Sequence, residues 1–476
     1  MHNPVRKLSK LFALALLGII VKSSVANEKP NIVLYLADDF GYGSVGAYGA
    51  DPAMVRTPNL DELAEEGMRF DNAYTTGSVC SPTRYAMLTS QYSWRTYMKS
   101  AVVNPGDPML LKPGQLTIAS WLKERGYQTS HFGKWHLGYG DKKGSTLLDS
   151  MHTGPNKVGF DYHFGVPNNM DDLHKVYVEN DSIYGLRSDR VSTYGRSYYG
   201  KPYIGYDAPQ RNEPQVMETT TEKAIEWIDN RDEEKPFFMY FAAVAVHHPI
   251  MPSDRMRGTS SIGAYGDFIH DLDYSVGQLM NALKTRGLAE NTIFIFSSDN
   301  GGDIPTNRPY SPENQAVDLG FKPNGDHRGD KHQVYNGGFR VPMMVRWPGK
   351  VQEESVVDGR VSTIDIFPTI ADVLGESLNK KKIDGASFGS LLLNPKTDYE
   401  REELVLRDVK GRRALVSGNF KYITDKHPES VKKAPEVEEE LYDLENDPGE
   451  TKNLASSMPE LTTELRKRLK KISRGD

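Results

Sequence analysis

Three short apolar runs constrain the fold of this chain more than any other feature. Residues 32–37, 237–246 and 292–297 are β-branched or aromatic and lack polar alternation, the pattern of strands buried on both faces of a parallel sheet. Each run ends in polar groups: Asp38-Asp39, His247-His248-Pro249 and Asp299-Asn300-Gly301-Gly302. Ligands in open α/β sheets bind at the carboxyl ends of strands, so these groups are expected to meet in one crevice. Helical patterns at residues 57–67, 117–126, 218–231 and 268–285 fall between the runs. Such alternation predicts a doubly wound arrangement.

Two regions depart from that rhythm. Residues 141–215 are rich in Gly, Tyr and charge without a sustained period, which marks a long insertion used for binding or left irregular. Tyr177, Tyr184, Tyr194, Tyr198, Tyr199, Tyr203 and Tyr206 lie there with Arg187, Arg190, Arg196 and Lys201. Such rings suit sugar faces and such cations suit anions, or the rings pack the insertion onto the core. After a helical stretch at 364–374, strand-like pieces at 404–406, 414–416 and 420–423 precede a turn-rich segment, 442–453, and a basic amphipathic helix, 461–472. The expectation is an α/β fold: a large mixed, mostly parallel sheet flanked by helices over residues 27–376. A smaller C-terminal α+β domain with an antiparallel sheet should follow over 377–476. A chain of 476 residues accommodates both.

At the amino terminus an apolar stretch, residues 11–21, follows Arg6, Lys7 and Lys10 and precedes Ser24-Val25-Ala26. This is the form of a secretory signal cleaved after Ala26, and the stretch is shorter than a stable membrane anchor needs. Export to the periplasm or medium is expected. Cleavage removes Arg6, Lys7, Lys10 and Lys22 and no acid, so the formal charge falls from −6 to −10. That balance argues against nucleic acid as a partner. The lone thiol, Cys80, has no intramolecular disulfide partner in a chain read as exported.

Around that thiol the chain reads Cys80-Ser81-Pro82-Thr83-Arg84 and continues in a helical pattern. Proline just after the start of a helix puts Cys80 at an N-terminus that favours an anion, with Arg84 one turn on. A cysteine nucleophile beside paired aspartates is chemically inconsistent, because the carboxylates suit a hard cation and thiolate does not. The conflict suggests that Cys80 is converted into something else.

These residues resemble the type I sulfatases of the alkaline phosphatase-like superfamily, in which the Cys of a C-x-P-x-R motif is oxidised after translation to formylglycine. Further matches follow in family order: NIVLYLADD at 31–39, GKWHLG at 133–138, Asp299-Asn300-Gly301, and GFRVPMMVRWP at 338–348. Residues 441–453, LYDLENDPGETKN, resemble the family's C-terminal end. The resemblance implies a catalytic sulfatase domain over 27–376, with 141–215 recognising substrate. It implies that Asp38, Asp39, Asp299 and Asn300, with an oxygen of the residue formed from Cys80, bind Ca²⁺ or Mg²⁺. It also implies a formylglycine-generating enzyme as maturation partner and a sulfate monoester, preferably on a carbohydrate, as substrate.

Roles implied for the remaining residues are these. Arg84 orients the formylglycine hydrate and offsets the carboxylates. Lys134 and Lys331 bind sulfate oxygens. His136 takes the proton as sulfate is expelled, and His247 with Lys331 assists departure of the alcohol. Lys134 and His136, two apart on a segment read as extended, should point the same way. His248 competes with His247 for its role, and Asn336 stands where an acidic residue is common. His327, Arg328 and His332 line the rim or lie on a surface loop. Two other functions fit less of the sequence: phosphoester or phosphonate hydrolysis within the superfamily, and non-catalytic binding of sulfated glycans should Cys80 stay unmodified.

Overall fold

The computed structural model describes residues 29–144, 146–148, 153–197, 200–427 and 437–474. The expected signal segment, 1–26, lies outside them. Ten strands form one sheet, in the order Ser355–Val357, Met68–Phe70, Met344–Arg346, Thr292–Ser298, Asn31–Ala37, Phe237–Ala242, Gln128–Lys134, Tyr162–Val166, Val178–Glu179, Ser182–Ile183. The five strands from Thr292–Ser298 through Tyr162–Val166 are parallel neighbours. Antiparallel pairings enter on both sides of them. All five central carboxyl ends therefore lie along one edge.

Burial on both faces explains the unbroken apolar runs. Along Asn31–Ala37, Ile32, Leu34 and Leu36 enter a core with Tyr85, Met87, Ile118 and Phe367. Val33, Tyr35 and Ala37 enter another with Leu60, Leu63, Val216 and Phe268. Helices Cys80–Thr89, Ile118–Lys123 and Ile366–Val373 thus cover one face, and Pro58–Glu65, Val216–Asn230 and Ala264–Thr285 the other. The expected α/β architecture and its helices are present.

Two readings need correction. The run 237–246 pairs only as far as Ala242. Its last four residues stay buried but cross the end of the first strand, with Ala243 N donating to Leu36 O at 2.9 Å and Asp38 N to Ala245 O at 2.9 Å. This crossing brings His247 to the carboxyl edge. The segment 141–215 is also more regular than its composition suggests. Three of its strands extend the main sheet, while Ser188–Tyr194 and Tyr203–Asp207 form a separate hairpin. Its tyrosines divide: Tyr177 and Tyr206 are buried, Tyr184 and Tyr194 are exposed, and Tyr198 and Tyr199 lie outside the described residues.

The C-terminal strands Glu403–Arg407, Arg413–Ser417, Phe420–Ile423 and Glu440–Asp443 form an antiparallel sheet. Leu465 and Leu469 of helix Pro459–Arg474 pack into its core together with Tyr74, Ala86, Trp94, Phe339 and Ile364. The small sheet thereby supports two loops of the large one. Arg407 N donates to Thr76 O at 3.0 Å, Ser78 N to Arg407 O at 3.1 Å, and the buried guanidinium of Arg407 to Met98 O at 3.1 Å and Ala101 O at 2.7 Å. Asn336 belongs to the second support: Lys421 Nζ donates to its Oδ1 at 3.0 Å and pairs with Glu450 at 2.7 Å, and Asn336 N donates to Glu450 Oε2 at 2.6 Å. Among the described residues no helix is long and apolar enough to cross a membrane.

Candidate active site

Cys80 is the first residue of its helix, after Val79 in extended conformation, and all ten helix residues are buried. Its Sγ lies 3.6 Å from Asp38 Oδ1 and accepts from Lys134 Nζ at 3.3 Å. One turn along, Arg84 donates through Nε and Nη2 to Asp299 Oδ2 at 2.9 and 2.7 Å, and through Nη1 to Lys134 O at 2.9 Å. The helix start, the first strand's end, the Gln128–Lys134 strand's end and the Thr292–Ser298 strand's end thus meet at one point. The sequence-predicted crevice is there.

Asp38 and Asp39 are 0% and 2% exposed, and Asp39 takes a left-handed φ of 56°. That conformation directs its backbone N toward Asp299 Oδ1 at 3.2 Å, while Asn300 Nδ2 donates to Asp39 Oδ1 at 2.8 Å. Lys134 Nζ donates to Asp38 Oδ2 and Lys331 Nζ to Asp39 Oδ2, each at 2.6 Å. One ligand atom from each of Asp38, Asp39, Asp299 and Cys80 can be chosen so that all four lie within 4.8 Å of one another. Asn300 Oδ1 is buried with no hydrogen-bond partner among the described residues. Burial drives the Asp38 carboxyl well above the usual carboxylate range, against the pull of Lys134. Hard oxygens crowded out of water, one of them without a partner, fit a divalent cation such as Ca²⁺.

The histidines divide between the site and its border. His136 is buried, but the strand stops at Lys134 and His136 has φ 55°, so the expected extended segment linking the two is absent. A left-handed turn nevertheless keeps its ring near Lys134, Arg84 and Lys331. Burial and then those cations hold it well below the usual imidazole range, and its Nδ1 has no partner among the described residues. His247 Nε2 stands 3.7 Å from Asp39 Oδ2, and its Nδ1 is 2.5 Å from His248 O. Burial, then Lys331 and Lys134, likewise hold it neutral.

His248 stacks on His247 with ring centroids 4.2 Å apart, and its own polar neighbours lie outward. Asp171 Oδ2 is 3.1 Å from its Nε2, and Arg308 Nη2 is 3.2 Å from its Nδ1. Arg308 also binds Asp303 at 2.9 Å. Lys331 comes from a loop tied on both sides, with Lys331 N donating to Gly302 O at 3.1 Å and His332 N to Ser78 O at 2.8 Å. Burial is the largest single influence and would depress Lys331, but Asp39, Cys80, Asp303 and Asp38 together outweigh it and hold the ammonium well above its ordinary range.

Sequence reasoning missed Asp171 and Asp303. Asp303 follows Asp299 in the same post-strand loop, which was signal enough to find it. Asp171 sits in the insertion, where no periodicity points inward. His327 packs on Tyr42 with ring centroids 5.0 Å apart, and Arg328 stacks on Tyr335 at 3.7 Å, so of the rim candidates His332 alone faces the cleft beside Lys331.

A parallel sheet whose strand ends gather aspartates, two lysines, an arginine and a cysteine at a helix start has the form of an alkaline phosphatase-like hydrolase of anionic esters. The chain belongs to the sulfatase family: the family model for sulfatase matches residues 30–376, and the model described as N-sulphoglucosamine sulphohydrolase, C-terminal, matches 325–475. An N-acetylgalactosamine-6-O-sulfatase of Bacteroides thetaiotaomicron is 33% identical, over 94% of this chain and 93% of its own. Human arylsulfatase A is 31% identical, over 96% of this chain and 89% of its own. A solved structure from work on glycosaminoglycan metabolism by Bacteroides thetaiotaomicron superposes with a TM-score of 0.84 at 32% identity, covering 94% of this chain and 100% of that one. The chain is accordingly a sulfuric ester hydrolase.

Proposed function

We propose that this chain is an exported sulfatase that removes sulfate from carbohydrate through a formylglycine formed from Cys80. The observation that carries the reading is the convergence of Cys80, four oxygen-bearing side chains and two lysines on one buried point. The matched relatives named for an N-acetylgalactosamine 6-sulfate ester favour a sugar substrate, as do the exposed Tyr184 and Tyr194 of the insertion. A cleavable leader and a formylglycine-generating enzyme as maturation partner belong to the same proposal, as does a division into a catalytic part, 27–376, and a C-terminal part, 377–476.

Asp38, Asp39, Asp299 and Asn300 would hold Ca²⁺, or Mg²⁺ in its place. When bound, the ion neutralises the carboxylates and favours the ionised, nucleophilic form of an oxygen at position 80. Hydrated formylglycine supplies two hydroxyls on one carbon, so one can take the sulfuryl group and the other can expel sulfate as the carbonyl returns. The chain's own residues set the conditions. Arg84, fixed to Asp299, orients the position-80 side chain from the same helix. Lys134 and Lys331 bind sulfate oxygens and stabilise charge that grows as the ester bond breaks.

His136, neutral and with an unpartnered Nδ1, is the acceptor for the hydroxyl proton lost when sulfate leaves. His247 is neutral in the free site, and the arriving anionic sulfate raises its proton affinity. It then assists the alcohol's departure together with Lys331. The test is a screen of defined sulfated saccharides with protein coexpressed with a formylglycine-generating enzyme, before and after exhaustive chelation. Sulfate release that chelation abolishes and Ca²⁺ restores supports the proposal. Release from aryl sulfates alone would sink its carbohydrate part, and release that survives chelation its metal part.

A further inference from the structure

A cleft of about 550 Å³ opens beside Lys331, large enough for a ligand beyond a single sulfate. One wall is His248 with residues 303–308, the floor is residues 330–335, and the far wall is Asp408, Val409, Lys410 and Arg412 of the C-terminal segment 408–412. That segment is a tight turn, with Gly411 N donating to Asp408 O at 3.0 Å and Arg412 N to Asp408 Oδ1 at 2.8 Å. It docks on the floor and on a neighbouring loop: Val409 N donates to His332 O at 3.3 Å, and Ala101 N to Val409 O at 2.6 Å. A main-chain hydrogen bond thereby ties the turn to the residue that follows Lys331.

The charged groups of the cleft are mostly taken. Lys331 binds Asp39, Arg308 binds Asp303, and Arg412 binds Glu440 at 2.7 Å. Asp330 accepts from Gln333 at 3.0 Å, and Asp408 from the backbone of its own turn. Lys410, exposed at the tip of the turn, forms no ion pair among the described residues. A solvated cation on a rigid turn, facing a cleft that continues from the sulfate site, is placed to meet negative charge on whatever is attached to the sulfated sugar.

We infer that Lys410 and its turn form a subsite for an anionic group, a uronate carboxylate or a second sulfate, on the sugar next to the one that loses sulfate. The inference rests on the carbohydrate reading above and adds that the C-terminal unit reads chain composition. An exposed ion pair is modest, so Lys410→Ala should lower kcat/KM about threefold to fivefold, and Lys410→Glu, which adds repulsion, about tenfold or more.

The experiment compares five substrates with parent, Lys410→Ala, Lys410→Glu and Lys410→Arg: an aryl sulfate, a sulfated monosaccharide, a sulfated disaccharide with a neutral neighbour, and two disaccharides whose neighbour carries a carboxylate or a second sulfate. The losses are expected only on anionic-neighbour disaccharides, through KM, fading with salt, with Lys410→Arg restoring most of the effect. Which of the two anionic arms responds identifies the group. Equal losses on all substrates, or none on either anionic arm, overturn the inference. Titration of the same disaccharides into Cys80→Ala protein, with and without Lys410→Glu, gives a readout independent of turnover. Lys410-dependent binding without parental turnover would sustain the subsite while removing the proposed chemistry.

Discussion

Two buried clusters of charge in this molecule look alike by composition and behave differently by geometry. Where the small sheet meets a loop of the large one, Lys421, Glu450 and Asn336 close on one another, the ammonium meeting a carboxylate and an amide oxygen and the carboxylate meeting a backbone N–H. At the strand ends, Asp38, Asp39 and Asp299 crowd together with their cations, yet Asn300 Oδ1 and His136 Nδ1 are left without partners among the described residues and two histidines are driven neutral. Both clusters are costly to desolvate. The closed one fastens the Lys331 loop, and the open one keeps valences for something that arrives. The difference between a clasp and a site lies in what remains unsatisfied, not in how many charges are buried.

Substitutions should separate the two. Lys421→Met leaves the buried Glu450 carboxylate without its cation, for which a loss of about 3–5 kcal/mol in unfolding free energy is expected. At temperatures where the variant stays folded, most of its turnover should remain. Denaturant titration alongside a sulfate-release assay checks this, and a stable but inactive variant would erase the contrast. Lys331→Ala is the mirror case. Turnover should fall by about 10²–10³ with Ca²⁺ present, while the melting temperature moves little. If stability collapses with activity, the strand-end cluster is a clasp as well.

The smallest effect concerns a buried pair behind the site. His131 and His163 face each other through Nδ1 atoms 2.8 Å apart, and burial holds His163 down at about 3. The unfolded chain protonates this imidazole below about 6.5 and the folded one does not, so stability is full above about 6.5 and falls as pH drops toward 3. The loss should approach about 1.4 kcal/mol per pH unit for this group. His136 and His247 add slopes of the same sign, so the measurement is the difference between parent and His163→Gln in melts from pH 7.5 to 5. Parallel curves would mean that the pair carries no such penalty.

Much of the open cluster was legible in the sequence because runs buried on both faces carry no polar interruption, and their ends announce themselves. Asp38, Asp39, Asp299 and Asn300 follow directly from that rule, and the proline after Cys80 located the helix start. Other features left weaker marks. Ser188–Tyr194 is exposed along its whole length, so no alternation betrays a strand. The run through Val246 read too long because residues that cross a strand end are as apolar as those within the sheet. The extended path to His136 failed because its left-handed turn involves a non-glycine residue, which composition does not flag. The fourth C-terminal strand, Glu440–Asp443, was hidden where a turn-rich segment begins, and nothing in Asp408–Arg412 hints that it docks beside Lys331. Long-range closure is a property of packing, and local pattern does not encode it.

Position 80 is proposed to act as an aldehyde hydrate and not as a thiol. The direct measurement is the mass of the peptide spanning Cys80, taken across preparations matured to different extents and set against sulfate released by each. Activity is expected to rise in proportion to the fraction in which sulfur and two hydrogens have given way to one oxygen, reaching zero where all of it is cysteine. Full sulfate release from protein whose Cys80 is wholly unmodified would contradict it.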